Sequence, residues 1–332
     1  MRRHLKPWRV VGAVVVLLVL TLVILIRIPS GEYVLLVDPA HPVAPLVQVQ
    51  GARPADSGTL YFVDVKEKSA SELETLFPWI HPHASFVPAG AIVPPCASPA
   101  QAEAAALQEM SFSQRVAAAV ALRRLGYHVA VKPTGVVVSQ LIAGTHAPCN
   151  LQPMDVVVAV DGKPTPTETS LHDALGHVQP GAVVKLTVLR GGRTFTVPVR
   201  TVDEGGRALV GFVPNQSAKI KLPIRVAIDT SGIGGPSAGL AFTLEVMQKL
   251  GRNVLHGHRV AATGEMALNG AVGPIGGIKQ KTYGVRQAGA DVFLVPAGQN
   301  ARDARRYAGP VRIIPVHNLS QALRALATLP RA

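Results

Sequence analysis

The chain has 332 residues, a formal net charge of +13 and 48% apolar residues. This length allows two to three domains with hydrophobic cores. The positive charge is scattered and forms no basic stripe with interleaved aromatic residues, so nucleic acid is not an expected partner. Attraction to an anionic membrane surface or wall polymer fits the charge better.

The N-terminal segment has the pattern of a membrane anchor. Val10–Ile26 contains no charged residue, and with Ile28 and a snorkelling Arg27 it approaches the length of a membrane span, so we predict an anchor over residues 10–28. Basic residues are concentrated before the span, and by the positive-inside rule residues 1–9 are cytoplasmic and the chain after about residue 30 lies outside. A cleaved signal peptide is the alternative, but no convincing small-x-small cleavage site precedes Pro29-Ser30-Gly31.

Residues 29–124 form a predicted extracellular lead segment. Tyr33–Val37 and Thr59–Val65 have strand patterns, and Ala100–Leu125 has helical composition. The proline-rich run Phe77–Pro99 has too many breaks for regular structure. Cys96 in this segment and Cys149 beyond it both fall outside the membrane, where a disulfide is permitted; two free thiols are the alternative.

Residues 125–201 alternate between β patterns and one short helical stretch, and include a hairpin across Arg190-Gly191-Gly192. The run from Leu151 to Lys163, which includes Asp155-Val-Val-Val-Ala-Val and an Asp-Gly turn, resembles a PDZ domain. The resemblance implies binding of extended peptides by strand addition. The usual carboxylate-binding loop is not evident near Tyr127–Gly135, and a rigid spacer or a gate on the following domain is the alternative role.

A glycine-rich loop and a helical pattern surround Ser237. The run Gly234-Gly235-Pro236-Ser237-Ala238-Gly239 precedes apolar residues at helical spacing, and Gly251 is placed to stop that helix. Pro236 suits the first helical position, which puts Ser237 in the first turn, where unpaired N–H groups and the helix dipole can stabilise an oxyanion. Gly235 and its glycine neighbours leave room for a substrate backbone. The alternative is a turn with a solvated capping serine.

A second motif, Gly276-Gly277-Ile278-Lys279, follows 42 residues after the first and opens a helix predicted over Ile278–Ala288. Lys279 in the first turn faces the positive end of the helix dipole, which favours the neutral amine that a general base needs. We expect Lys281 to be a solvated surface lysine. Between the two motifs, Arg259–Leu268 is a predicted strand, followed by a turn at Asn269-Gly270.

These motifs, with Thr263-Gly264-Glu265 between them, make residues about 205–328 resemble the proteolytic domain of Lon peptidases. The resemblance implies Ser237 as nucleophile and Lys279 as general base. It also implies a lysine-orienting role for Thr263. Asp229 lies just upstream of the glycine loop and could approach the lysine; a turn-capping role is the alternative.

The predicted fold class is α+β and multidomain: a transmembrane helix, a β-rich PDZ-like domain at 125–201 and an α+β Lon-type proteolytic domain at 205–332. This order resembles membrane-anchored PDZ–Lon peptidases. No G-x-x-x-x-G-K-[ST] phosphate loop occurs in the sequence, so we expect an ATP-independent serine endopeptidase acting on unfolded segments or tails outside the cytoplasmic membrane. Lon-type domains also suggest a homo-oligomeric ring.

Two other functions compete with this prediction. One is a PDZ scaffold or holdase on an inactive peptidase fold, against which the presence of both Ser237 and Lys279 argues. The other is a Ser-His-Asp peptidase, but the chain has no Gly-x-Ser-Gly-Gly motif. We expect no metal and no cofactor, because His81-Pro-His83 and His256-Gly-His258 lack further residues at ligand spacing.

Overall fold

The computed structural model describes residues 7–53, 58–94, 96–142, 145, 147 and 150–330. The α-helices in this part of the chain are α1 (Pro7–Arg27), α2 (Glu72–Leu76), α3 (Pro99–Arg124), α4 (Glu168–Leu175), α5 (Gly239–Lys249), α6 (Ile278–Gln287), α7 (Gln299–Tyr307) and α8 (Leu319–Ala327). Two short 3₁₀ turns cover Pro78–Ile80 and Ala89–Ala91.

The strands fall into an N-terminal, a central and a C-terminal group. The N-terminal strands are β1 (Pro29–Val37), β2 (His41–Pro42), β3 (Val47–Val49), β4 (Thr59–Phe62), β5 (Val65–Ser71) and β6 (Ser85–Pro88). The central strands are β7 (Ala130–Leu141), β8 (Val156–Val160), β9 (Lys163–Pro164), β10 (Val183–Arg190), β11 (Arg193–Arg200), β12 (Val202–Glu204), β13 (Arg207–Leu209) and β14 (Phe212–Lys221). The C-terminal strands are β15 (Val226–Ile228), β16 (Arg259–Ala262), β17 (Glu265–Met266), β18 (Val272–Gly273), β19 (Val292–Pro296) and β20 (Arg312–Val316).

Helix α1 is apolar along its length, and its large hydrophobic side chains are exposed. Val10–Arg27 is long and apolar enough to cross a membrane, and none of it is buried against the rest of the chain. A helix that buries no apolar face within the protein needs an apolar environment elsewhere. The helix is therefore consistent with a single-pass membrane anchor.

The C-terminal part is built on a five-stranded sheet in the order β2-β4-β16-β19-β20, parallel except for β2. Side chains alternate between its two faces, as strand geometry requires. Val260 and Ala262 of β16 pack in the core with α3, α5 and α8, whereas Ala261 between them packs with α6 and α7. The sheet is thus covered by helices on both faces, and α5 and α6 lie on opposite sides of it.

The lead segment is an integral part of this fold. Its strand β4 pairs in parallel with β16 over four residues, Thr59 to Phe62 opposite Arg259 to Ala262. Strand β3 pairs with β15, and helix α3 packs in the same core as α5. A unit limited to residues 205–332, as the sequence predicts, would lack these elements of its sheet and core.

The proline-rich stretch of the lead segment is more regular than expected. Strand β6 lies within Phe77–Pro99 and pairs with β1, which makes the three-stranded sheet β5-β1-β6. The prediction of no regular structure there is wrong because an edge strand tolerates a proline at its end, here Pro88. This small sheet lies against α6, and Gly284 of α6 accepts a hydrogen bond from the Ala40 amide of the lead segment.

The central module is a sheet in the order β11-β10-β8-β7-β14, with α4 beside it and its own apolar core. Strand β14 is the outer strand and pairs antiparallel with β7 along its full length, from Phe212 opposite Leu141 to Lys221 opposite Ala130. The chain then runs from β14 through β15 into the glycine loop before α5. The module and the C-terminal domain are thereby joined by the short connection between β14 and β15.

Gly277, the N-cap of α6, lies in close contact with the lead segment. Its φ of +65° is left-handed, and a Cβ there would lie 2.6 Å from Val65 Cγ2. We expect Gly277→Ala to lower the free energy of unfolding by roughly 1–2 kcal/mol from the backbone alone, with a further loss from the steric clash.

Gly276→Ala is the matched control, because a Cβ at Gly276 meets nothing within 4 Å and its φ is not left-handed. Thermal unfolding of the full-length proteins in detergent, followed by circular dichroism, measures both variants. Equal melting temperatures for the two would contradict the account of this contact.

Candidate active site

Ser237 lies immediately before α5, in a turn, and not in the first helical turn as predicted. The helix begins at Gly239 with Ala238 as its N-cap. The Ser237 carbonyl is already taken: it accepts hydrogen bonds from the Gly264 amide at 2.8 Å and from Thr263 Oγ1 at 3.1 Å. The helix therefore starts two residues later, and the serine is fixed to the segment that follows β16.

Helix α3 of the lead segment holds the glycine loop from the other side. The Gly235 amide donates to the Ala106 carbonyl at 2.8 Å, and Ser113 Oγ donates to the Pro236 carbonyl at 3.0 Å. A Cβ at Gly234 would lie 2.8 Å from Ala106 Cβ, so this approach requires a glycine. Gly235 and Pro236 thus act through backbone contacts that fix the loop.

The side chain that reaches Ser237 is that of Lys281. Its Nζ lies 2.7 Å from Ser237 Oγ and donates a hydrogen bond to it. Lys281 is only 4% exposed. Burial lowers the pKa of the Lys281 amine from 10.5 to about 8, and the charges of Asp64 and Glu67 oppose that shift. The amine is therefore within reach of neutrality near physiological pH.

The expected position of Lys279 beside the serine is wrong. Lys279 Nζ donates to the Ala84 carbonyl of the lead segment at 2.8 Å, and the neighbouring Gln280 Nε2 contacts Ser85 Oγ at 2.8 Å. Residues two apart on a helix point roughly 200° away from each other. Lys279 and Lys281 therefore cannot reach the same oxygen, and the expectation that Lys281 is a solvated surface residue is also wrong.

The sequence carried a signal for this choice. The buried apolar residues of α6 are Ile278 and Val285, and Lys281 lies three positions after the first and four before the second. Lys281 therefore belongs to the stripe that faces the core, and Lys279 does not. A lysine on the buried stripe loses its hydration, which disfavours the charged amine and lowers its pKa.

The two supporting polar residues also have different contacts from those expected. Thr263 is buried and bonds the serine's carbonyl, as described above, instead of the lysine. Asp229 is exposed and its Oδ1 accepts from the Ser231 amide at 2.9 Å, which is the turn-capping alternative. The carboxylates that act on Lys281 belong to Asp64 and Glu67 of the lead segment, and burial raises the pKa of both.

Two N–H groups at the turn could bind an oxyanion. Within the part of the chain that the structure describes, the backbone amides of Ser237 and Ala238 have no hydrogen-bond acceptor. They lie at the N-terminus of α5, where the helix dipole adds a partial positive charge. Free donors beside a nucleophile are the arrangement that stabilises a developing negative charge on a carbonyl oxygen.

One cluster in the described residues has ligand atoms close enough for a cation, within 4.8 Å of one another: Asp38, His41 and Asp64. Lys66 Nζ already lies 2.6 Å from Asp38 Oδ1, and His41 Nε2 lies 3.2 Å from Asp38 Oδ2. The Asp38 carboxylate is therefore already paired with Lys66 and contacts His41, and we assign no metal. Cys96 is disulfide-bonded, and Cys149 lies outside the described residues.

Comparison with protein families matches residues 211–327 to the C-terminal proteolytic domain of Lon protease (S16) and residues 123–201 to the PDZ domain. Curated relatives include Lon protease of Chloroflexus aggregans, which is 34% identical over 125 residues, or 36% of this chain and 15% of the relative. Lon protease 1 of Myxococcus xanthus is 37% identical over 101 residues, or 29% of this chain and 12% of the relative. The chain thus covers less than a fifth of the length of these relatives.

Similar solved structures include the PDZ domains of SdrC-like proteins from two Listeria species. The L. monocytogenes domain has 19% identity and a TM-score of 0.23, and the match covers 24% of this chain and 87% of that domain. The L. innocua domain has 20% identity and the same TM-score of 0.23, covering 24% and 92%.

The sequence matches and the α+β architecture agree with the expected fold class. The chain carries a Lon-type proteolytic domain, preceded by a PDZ domain and by an N-terminal apolar helix that fits a membrane anchor.

Proposed function

We propose that this protein is a membrane-anchored serine endopeptidase in which Ser237 is the nucleophile and Lys281 the general base. The observation that carries the proposal is the 2.7 Å contact between Lys281 Nζ and Ser237 Oγ, made by an amine that is almost completely buried. A serine hydroxyl is a weak nucleophile without an adjacent base, and a desolvated lysine supplies one near neutral pH.

The reaction is acyl transfer. The neutral Lys281 amine takes the Ser237 proton as Oγ attacks the scissile carbonyl, and the amides of Ser237 and Ala238 bind the oxyanion. The protonated lysine then gives its proton to the leaving amine as the peptide bond breaks. A water molecule, deprotonated by the same lysine, hydrolyses the acyl-enzyme and regenerates the hydroxyl.

The substrates are unfolded protein segments or tails, cleaved without ATP. The anchor places the N-terminus in the cytoplasm and the catalytic domain outside, because the basic residues precede the span. Strand β14, at the start of the segment matched to the Lon proteolytic domain, extends the PDZ sheet as one of its outer strands, so an extended peptide would add to it. The other outer strand, β11, contains Pro198, which has no amide hydrogen to donate. Since β14 leads toward Ser237, we assign the PDZ module to substrate presentation.

Replacing each of the two lysines in turn tests which one is the base. We expect Ser237→Ala and Lys281→Met to reduce casein cleavage by at least about a thousandfold, since each removes one half of the nucleophile–base pair. Lys279→Met should retain most of the activity, because the Lys279 amine bonds a backbone carbonyl in the lead segment. The measurement is the initial rate with full-length protein in detergent, without nucleotide.

The melting temperatures of the two lysine variants are measured as a control, so that a loss of activity is not mistaken for a loss of folding. Loss of activity in Lys279→Met together with full activity in Lys281→Met would reverse the assignment. Equal activity in all variants, including Ser237→Ala, would eliminate the proposed peptidase site.

The pH dependence of cleavage reports the charge on Lys281. Because the base must be neutral, kcat/KM should rise about tenfold per pH unit below the pKa of about 8 and level off above it. Asp64 raises the pKa of Lys281 through its charge, so Asp64→Asn should lower that pKa. The rising part of the kcat/KM profile, here called the limb, should then move to lower pH.

Asp229→Asn is the matched control, since Asp229 is exposed and caps a turn. It should leave the limb in place. A limb that moves to higher pH in Asp64→Asn, or a profile that is flat from pH about 6 to 10, would contradict the role of the lysine.

A further inference from the structure

Strand β14 carries a side chain that crosses from the PDZ sheet into the proteolytic domain. Asn215 Nδ2 donates a hydrogen bond to Glu265 Oε1 at 2.6 Å. Asn215 lies opposite Val137 of β7 within the PDZ sheet, whereas Glu265 begins β17 of the proteolytic domain. Both side chains are at least partly buried, so the bond is shielded from competing water.

Glu265 directly follows the two residues that fix the nucleophile. The Gly264 amide and Thr263 Oγ1 both bond the Ser237 carbonyl, and the Gly264 carbonyl accepts from the Leu240 amide in the first turn of α5 at 3.1 Å. Gly264 has a φ of +146° and packs on Val272, so this segment has little freedom to adjust. A shift of Glu265 is therefore passed to the position of Ser237.

We propose that Asn215 is a positioning residue for the peptidase site, which holds Glu265 and thereby ties β14, the strand that pairs with β7 of the PDZ domain, to the nucleophile. This inference rests on the proposed function. It identifies the route by which an extended peptide added to β14 would change the geometry at Ser237. This coupling depends on the Asn215–Glu265 hydrogen bond and on the rigid segment from Thr263 to Glu265, and it requires no movement of whole domains.

The charge on Glu265 gives this contact a second effect. Glu109 of α3 faces Glu265: burial, followed by the charge of Glu265, raises the pKa of Glu109 to about 7. Burial also raises the pKa of Glu265, and the hydrogen bond from Asn215 opposes that rise. Asn215 therefore favours the charged form of Glu265, and that charge contributes to the raised pKa of Glu109.

The test compares Asn215→Leu with Ser217→Ala in the full-length protein in detergent. Asn215→Leu keeps the size but removes the donor. The Ser217 hydroxyl, in the same strand, instead shares a hydrogen bond of 2.9 Å with Thr134 Oγ1 of β7. With a short fluorogenic peptide as the probe, we expect kcat to fall about tenfold in Asn215→Leu with KM within about twofold. Ser217→Ala should match the wild type.

Asn215→Asp separates positioning from loss of folding. The introduced carboxylate repels Glu265 when both are charged, but a shared proton restores the hydrogen bond at lower pH. The ratio of variant to wild-type kcat should therefore rise as the pH is lowered from about 8 to about 6. A weakened fold would give no such recovery.

Equal kcat in Asn215→Leu, Ser217→Ala and the wild type would overturn the inference and leave the proposed peptidase function intact. A constant activity ratio for Asn215→Asp across this pH range would overturn it as well. A wild-type protein without Ser237-dependent cleavage would instead overturn the proposed function, and this inference with it.

Discussion

The burial of one amine against one hydroxyl is the constraint on which the rest of this site depends. Keeping Lys281 out of water lowers its pKa to about 8, which corresponds to a folding cost on the order of 3 kcal/mol at neutral pH. The charges of Asp64 and Glu67 already limit the fall of this pKa, and the packing of α6 against the sheet offsets the cost that remains. The surrounding fold therefore excludes water from the Lys281 amine and also prevents its pKa from falling too far.

The lead segment performs much of this work. It supplies the two carboxylates, a strand of the central sheet, and the helix that holds the glycine loop at Ala106 and Ser113. It also binds the amine of Lys279, which fixes the rotation of α6 about its axis. The proteolytic domain is thus completed by chain that precedes the PDZ domain, and the PDZ domain lies between two parts of one fold. This arrangement explains how the Asn215–Glu265 contact can link the strand added to the PDZ sheet with the segment that holds Ser237.

Local patterns in the sequence predicted the elements well, because helices and strands follow from periodicity and turn residues. The helix after Gly277 and the place of Ser237 just before α5 follow from these patterns, whereas the single strand predicted over Arg259–Leu268 is wrong: it is interrupted after Ala262 and resumes as β17. Position relative to the helix dipole favours Lys279, but the buried stripe from Ile278 to Val285 contains Lys281, and burial decides which amine reaches the serine. The pairing of β4 with β16 joins residues about 200 positions apart, and no local pattern encodes such a partner.

Direct titration of the Lys281 amine is the sharpest test of the central claim. Full-length protein labelled with ¹³C at lysine Cε can be followed by NMR across pH in detergent, with Lys281→Met used to assign the resonance. The account predicts one lysine that titrates near pH 8, absent from the variant and shifted by Ser237→Ala. A Lys281 resonance that titrates at the ordinary value of about 10.4 would contradict it.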